Sequence, residues 1–217
     1  MKEPVSQSRR ECVVLIPGLW LLGASLGIQA RRLRSAGFDV HLVSYATVRQ
    51  SLKDNALHIS RITRELEADT IHYVGHSLGG IVIRALFHFY PDPRPGRVVT
   101  IASPHMGSEV AKRFSRYALG RVIVGESIRE LLDGIPQQWP LPSREIGLIR
   151  GNLPIGLGRF FPGLPSPNDG LLTEQETWLE GVTDNVTLPI AHTGMLFAPA
   201  VADAVSRFLR TGQFANH

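Results

Sequence analysis

The stretch "YVGHSLGGIVIRALF" (residues 73–87) carries one serine, Ser77, where an apolar strand gives way to an apolar helix. Gly75, Gly79 and Gly80 surround this serine. Glycine is costly inside regular structure, so the cluster indicates an unusual backbone. In a G-x-S-x-G turn the serine is strained and its hydroxyl is exposed, and the glycines prevent collisions between strand and helix. The stretch predicts a nucleophilic serine; the alternative is a glycine-rich turn that only packs helix on strand.

Short apolar segments alternate with amphipathic ones along the rest of the chain. This alternation is typical of a mostly parallel sheet with helices on both faces. The predicted strands are "CVVLI" (12–16), "DVHLVSY" (39–45), "IHYVG" (71–75), "RVVTIAS" (97–103), "SREIGLIRG" (143–151) and "NVTLPI" (185–190). The predicted helices span 25–37, 51–68, 81–90 and 199–210. We therefore expect a single α/β domain over residues 1–217, with about six strands.

Two segments interrupt this alternation. Residues 106–142 contain helical patterns without a strand, and we expect them to form a small cap. Residues 151–168 form a long apolar loop rich in glycine and proline. Loops of this length in compact domains are usually functional, so we place this one at the rim of the site.

The composition is that of a soluble globular protein, with 43% hydrophobic and 19% charged residues in 217. A single cysteine, Cys12, excludes an internal disulfide framework and is compatible with the cytoplasm, which we take as the expected location. The apolar run near the N-terminus is interrupted by Pro17 and Gly18, so we interpret it as a short leader and a core strand, not a signal peptide. No apolar run is long enough to span a bilayer.

The net charge of +4 comes from arginines that are scattered over several predicted helices. No basic patch interleaved with aromatic residues indicates nucleic-acid binding. A weak, peripheral attraction to anionic lipid surfaces is compatible with this charge.

A serine nucleophile needs a general base, usually histidine, that a carboxylate orients. Downstream of Ser77 lie His105, His192 and His217. His217 is the terminal residue, and His105 lies at the end of the fourth predicted strand, two residues beyond it. His192 directly follows the last strand, and open α/β sheets build their sites at the carboxyl ends of strands. We therefore predict His192 as the base.

Two aspartates compete for the role of the acid. Asp169 lies in the turn "SPNDGLLT", after the fifth strand, and Asp184 lies just before the last strand. Asp169 is on the carboxyl side of the sheet and is preferred, although Asp-Gly can also be ordinary turn chemistry. The oxyanion of a tetrahedral intermediate needs backbone donors, for which we predict the amides of Leu78 and Leu19. The alternative for the loop before Leu19 is a plain Pro-Gly turn.

Taken together, these motifs resemble the α/β-hydrolase superfamily, and within it small bacterial lipases and the lipase-like hydrolases related to GPI-inositol deacylases. The resemblance covers most of the chain in the right order. It rests on "VVLIPGLW" (13–20), "YVGHSLGG" (73–80), "TIASPHMGS" (100–108), "NDGLL" (168–172) and "AHTGML" (191–196).

The resemblance implies a minimal α/β-hydrolase fold, lipase or esterase activity, and neither a metal nor an organic cofactor. It makes Ser77 the nucleophile, Asp169 the acid and His192 the base, with Leu19 and Leu78 as oxyanion donors. The family usually has histidine and glycine before the first oxyanion donor, and this chain has Pro17 and Gly18 instead.

Apolar residues near the predicted site indicate an acyl-binding cleft for an acyl ester or lipid substrate. We assign substrate contacts to Trp20, Phe160 and Phe161, and we expect short to medium acyl chains. A thioesterase or an acyltransferase would use the same triad, and these alternatives stay open. A non-catalytic lipid-binding protein is a third possibility, which the complete triad disfavours.

Overall fold

The computed structural model describes residues 10–156 and 163–215, and a six-stranded parallel sheet lies at the centre of this part of the chain. The strands are β1 (Glu11–Ile16), β2 (Asp39–Leu42), β3 (Thr70–His76), β4 (Val98–Ile101), β5 (Ile146–Gly151) and β6 (Asp184–Leu188). Their order in the sheet is β2-β1-β3-β4-β5-β6, and every neighbouring pair is parallel. The predicted strand set and fold class are confirmed.

Helices cover both faces of this sheet. They are α1 (Gly27–Ser35), α2 (Leu52–Arg64), α3 (Leu78–Phe89), α4 (Glu109–Phe114), α5 (Ala118–Leu132), α6 (Glu174–Thr177) and α7 (Pro199–Thr211). β1 shows why the sheet is buried on both sides. Val13 and Leu15 pack with α1 and α7, while Val14 and Ile16 pack with α2 and α3. Successive side chains of a strand point to opposite faces, so a continuously apolar strand needs two covering layers.

The segment predicted to form a cap contains α4, α5 and a short 3-10 helix at Pro136–Gln138. Helix α5 is interrupted at Gly125, whose φ of 75° is not helical. A Cβ at Gly125 would lie 2.2 Å from the carbonyl oxygen of Val48, in the loop between β2 and α2. The close approach of that loop therefore requires glycine at this position. No helix in the described part of the chain is long and apolar enough to cross a membrane.

The strand order reverses at β1. From β1 the chain moves to β2 on one side and returns to β3 on the other. In open α/β sheets, the crevice at the carboxyl ends of the strands beside such a reversal is where ligands bind. The loops after β1 and β3 meet there, since a Cβ added to Gly18 would lie 2.9 Å from the Cβ of Ser77.

Candidate active site

Ser77 occupies the sharp turn between β3 and α3. Its backbone has φ of 54° and ψ of −123°, a region that non-glycine residues rarely adopt. Strain of this kind costs about 1–3 kcal/mol and persists where the surrounding structure imposes it. Here the Ser77 amide donates a 2.8 Å hydrogen bond to the carbonyl of Ile101, at the end of β4. The side chain is half-buried and faces a cavity.

The glycines around Ser77 let strand and helix approach closely. A Cβ on Gly75 would lie 2.5 Å from the carbonyl carbon of Gly79 in α3. A Cβ on Gly79 would lie 2.2 Å from the carbonyl oxygen of Ile16 at the end of β1. Such contacts are with backbone atoms that cannot rotate away. The structure therefore gives the same reason for these glycines as the sequence pattern did.

Asp169 and His192 form a buried pair after β5 and β6. The Nδ1 atom of His192 lies 2.8 Å from Oδ2 of Asp169, and the exposed fractions are 7% for His192 and 0% for Asp169. The other carboxylate oxygen accepts from the amides of Leu171 (2.9 Å) and Leu172 (2.7 Å). Since a carboxylate only accepts, Nδ1 carries the proton and Nε2 is left as an acceptor. This is the tautomer that a general base needs.

The competing acid and base lie elsewhere. Asp184 is the first residue of β6, on the amino side of the sheet, and accepts from the amide of Phe214 at 2.7 Å. His105 is fully buried, with Nε2 at 3.1 Å from the hydroxyl of Thr100. Burial, and then the positive charge of Arg84, lower the pKa of His105 to about 3. His217, the third histidine, lies outside the described residues.

A cavity of about 460 Å³ opens beside Ser77 and His192. Leu19, Leu78 and Trp20 also line it, so most of the sequence-predicted site residues meet at one place. Phe160 and Phe161, also predicted to contact substrate, lie outside the described residues. The segment predicted to form a cap contributes a largely apolar wall, formed by Ser108, Val110, Ala111, Phe114, Val124 and Ile128.

The two predicted oxyanion donors border this cavity. Leu78 is the first residue of α3, and the first amides of a helix have no partner within it. Within residues 10–156 and 163–215, neither the Leu78 amide nor the Leu19 amide donates a hydrogen bond. Two backbone donors without an acceptor among the described residues thus border the cavity that Ser77 lines. Among the described residues, no group of three or more His, Cys, Asp or Glu side chains could hold a metal ion.

His76 is a site residue that the sequence analysis missed. Its Nε2 atom lies 3.2 Å from the backbone oxygen of His192, and the two imidazole rings are 5.0 Å apart. Burial, and then the neighbouring His192, lower the pKa of His76 to about 3, so this ring stays neutral. A neutral ring can donate from Nε2 and hold the His192 backbone in place. Its position directly before Ser77 was the available clue.

The sequence of this chain is similar to one known protein family over part of its length. A family model described as palmitoyl protein thioesterase matches residues 28–134, just under half of the 217-residue chain. The match includes Ser77 but ends before Asp169 and His192. No curated protein matches the chain by sequence.

Solved structures of several hydrolases are similar to this chain. A Bacillus licheniformis lipase in its mature form is 19% identical with a TM-score of 0.73, and the match covers 96% of this chain and 94% of the lipase. A metagenomic carboxyl esterase is 19% identical with a TM-score of 0.68, covering 86% of this chain and 65% of the esterase. An extracellular α/β-hydrolase from a Paenibacillus species is 15% identical with a TM-score of 0.60, covering 91% and 97%. The chain therefore has the α/β-hydrolase fold, and it resembles the esterases, lipases and thioesterases built on that fold.

Proposed function

We propose that the protein is a serine hydrolase that cleaves acyl esters through an acyl-enzyme on Ser77. The observation that carries the proposal is that Ser77, on its strained turn, and His192, which is paired with Asp169, line the same cavity. A serine hydroxyl is a poor nucleophile until a base takes its proton, and Nε2 of His192, left as an acceptor by the proton on Nδ1, is suited to that task.

In the first half of the reaction, Ser77 Oγ attacks the ester carbonyl carbon while His192 Nε2 takes the hydroxyl proton. The carbonyl oxygen becomes an oxyanion, which the amides of Leu19 and Leu78 stabilise. When the intermediate collapses, the bond to the leaving alcohol breaks, and His192 gives its proton to that alcohol. The acyl group stays on Ser77.

In the second half, His192 takes a proton from a water molecule as the water oxygen attacks the acyl-enzyme. The second tetrahedral intermediate breaks the bond to Ser77 Oγ, which regains a proton from His192. The products are a carboxylic acid and the free enzyme. Throughout, Asp169 stabilises the imidazolium and keeps Nδ1 protonated, and it does not itself take the proton.

The apolar cavity supports an acyl chain as the bound part of the substrate. Its lining is mostly aliphatic and aromatic, with few polar side chains near Ser77 and His192. Apolar clefts with a small number of placed polar groups are typical of sites for small apolar ligands.

A thioesterase is the second candidate, favoured by the match to the palmitoyl protein thioesterase family. The same triad would expel a thiol in place of an alcohol. We therefore expect esterase and thioesterase activity to differ in the leaving group that the site accepts, and not in the triad.

Covalent labelling tests the proposal. Intact-mass spectrometry after treatment with a fluorophosphonate should show one adduct on the folded protein and none on Ser77→Ala. Folded protein that stays unlabelled would overturn the hydrolase proposal. Comparing p-nitrophenyl butyrate with S-butyryl-N-acetylcysteamine, which share an acyl group, then separates esterase from thioesterase activity.

A further inference from the structure

The loop after β1, residues 17–23, is held by side chains from the segment after β2, residues 44–47. The hydroxyl of Tyr45 donates to the carbonyl oxygen of Pro17 at 2.8 Å. The hydroxyl oxygen of Thr47 accepts from the amide of Trp20 at 3.1 Å. These two bonds lie on either side of the Leu19 amide in the chain. Tyr45 therefore fixes the backbone before the Leu19 amide, and Thr47 fixes the backbone after it.

The direction of the Leu19 amide follows from a third bond. The amide of Leu21 donates to the carbonyl oxygen of Gly18 at 3.2 Å. That carbonyl and the N–H of Leu19 belong to one peptide unit, and in a trans peptide they point in opposite directions. Because the carbonyl faces into the turn, the N–H faces away from it. Gly18 lies close to Ser77, and Leu19 lines the same cavity as Ser77.

Trp20 needs this support because its own backbone is strained. Its φ is 61°, and a bulky side chain at positive φ is unfavourable. Trp20 is 54% exposed, so burial contributes little to holding the residue. What holds it are the bond from its amide to Thr47 and a 2.9 Å bond from its indole N–H to the carbonyl of Ile123 in α5. Removing either bond favours a relaxed backbone and a rotated Leu19 peptide.

We propose that Tyr45 and Thr47 are positioning residues that aim the Leu19 amide at the oxyanion formed on the Ser77 adduct. This inference rests on the proposed function. Both side chains are buried, and among the described residues neither lines the cavity, so they act through the loop and not on the substrate. Burial also raises the pKa of Tyr45, which keeps its hydroxyl protonated and able to donate.

The same hydrogen bonds also give a role to Pro17, which stands where the family that this chain resembles usually has histidine. Proline has no N–H, so its carbonyl oxygen is its only backbone hydrogen-bonding group. Tyr45 binds that oxygen. The restricted φ of proline and the Tyr45 bond together limit the conformations of the residues before Leu19.

The test compares variants that each change one small side-chain group. Tyr45→Phe deletes the donor, Thr47→Val deletes the acceptor, and Thr47→Ser keeps it. Tyr73→Phe is the matched control, because Tyr73 is also buried and its hydroxyl donates one 2.6 Å bond to Asp92, on the amino side of the sheet. Each variant is assayed with p-nitrophenyl butyrate, and the inhibition constant of a trifluoromethyl ketone is measured as a mimic of the tetrahedral adduct.

Losing one oxyanion donor outright lowers kcat by about 10²–10³. A donor that is displaced but present should cost less, so we expect Tyr45→Phe and Thr47→Val to lower kcat by about tenfold or more with KM nearly unchanged. The inhibition constant should rise by a similar factor, since only the adduct carries the oxyanion. Thr47→Ser should keep wild-type kcat, and Tyr73→Phe should lose stability without these kinetic changes.

If Tyr45→Phe and Thr47→Val stay within twofold of the wild-type kcat and inhibition constant, the positioning role is wrong. The same holds if Thr47→Ser is as impaired as Thr47→Val. Wild-type protein that neither takes the fluorophosphonate nor cleaves the ester would instead contradict the proposed function, before any of these variants is compared.

Discussion

The substitution Asp169→Asn removes the carboxylate charge and changes the His192 tautomer, while the side chain keeps nearly the same size and shape. One carboxylate oxygen of Asp169 accepts from the amides of Leu171 and Leu172, and the other accepts from His192. An asparagine must keep its oxygen on the two backbone donors, since its NH₂ group cannot accept. Its NH₂ group therefore faces Nδ1 of His192 and donates to it. The imidazole is then protonated on Nε2, where it can no longer take the Ser77 proton.

The size of the effect follows from this forced tautomer. In Ser-His-Asp proteases the equivalent change lowers kcat by about 10⁴, or about 5.4 kcal/mol of transition-state stabilisation. We expect a loss of about 10²–10⁴ in kcat for Asp169→Asn. The stability of the fold should change little by comparison, because all three hydrogen bonds of the side chain can be kept with similar geometry.

Steady-state hydrolysis of p-nitrophenyl butyrate, together with a thermal melt, provides the measurement. Asp184→Asn is the matched control. Asp184 also accepts a backbone hydrogen bond, from Phe214 at 2.7 Å, but on the amino side of the sheet. It should keep kcat within about twofold, as expected for a site outside the triad. The reasoning fails if Asp169→Asn retains more than a tenth of the wild-type kcat, or if Asp184→Asn is the variant that loses it.

Three further outcomes are expected. Gly75→Ala places a Cβ 2.5 Å from backbone atoms of α3, so it should destabilise the fold by about 1–3 kcal/mol in urea unfolding; Gly27→Ala meets no atom within 4 Å and should be neutral or stabilising. Val124→Phe narrows the cavity and should shift the kcat/KM profile for p-nitrophenyl esters toward shorter chains, by about tenfold per methylene excluded, whereas the exposed Val122→Phe should not. Burial lowers the pKa of His105 to about 3, so between that value and the unfolded value of about 6.5 the unfolded chain binds an extra proton. The contribution of neutral His105 to the free energy of unfolding is therefore complete above pH of about 6.5 and is lost as the pH falls toward about 3. His105→Gln should make the free energy of unfolding depend less steeply on pH in this range. An unchanged pH dependence would show that another group controls it.

The sequence by itself determined the local parts of this protein. The glycines around Ser77 specify the turn through contacts between residues a few positions apart, and apolar periodicity specifies the strands and helices. The sequence also indicated the carboxyl side of the sheet for Asp169 and His192, because a residue that follows a parallel strand must lie there.

The tertiary structure alone decided which distant residues meet. Tyr45 binds Pro17 across 28 positions, His76 approaches the backbone of His192 across 116, and Trp20 binds Ile123 across 103. No periodicity encodes such pairs. They depend on the order β2-β1-β3, which brings the loops after these strands together, and on where α5 packs over them. Strand order is set by the packing of the whole sheet between its two helical layers, and this packing is what gives the nucleophile its surroundings.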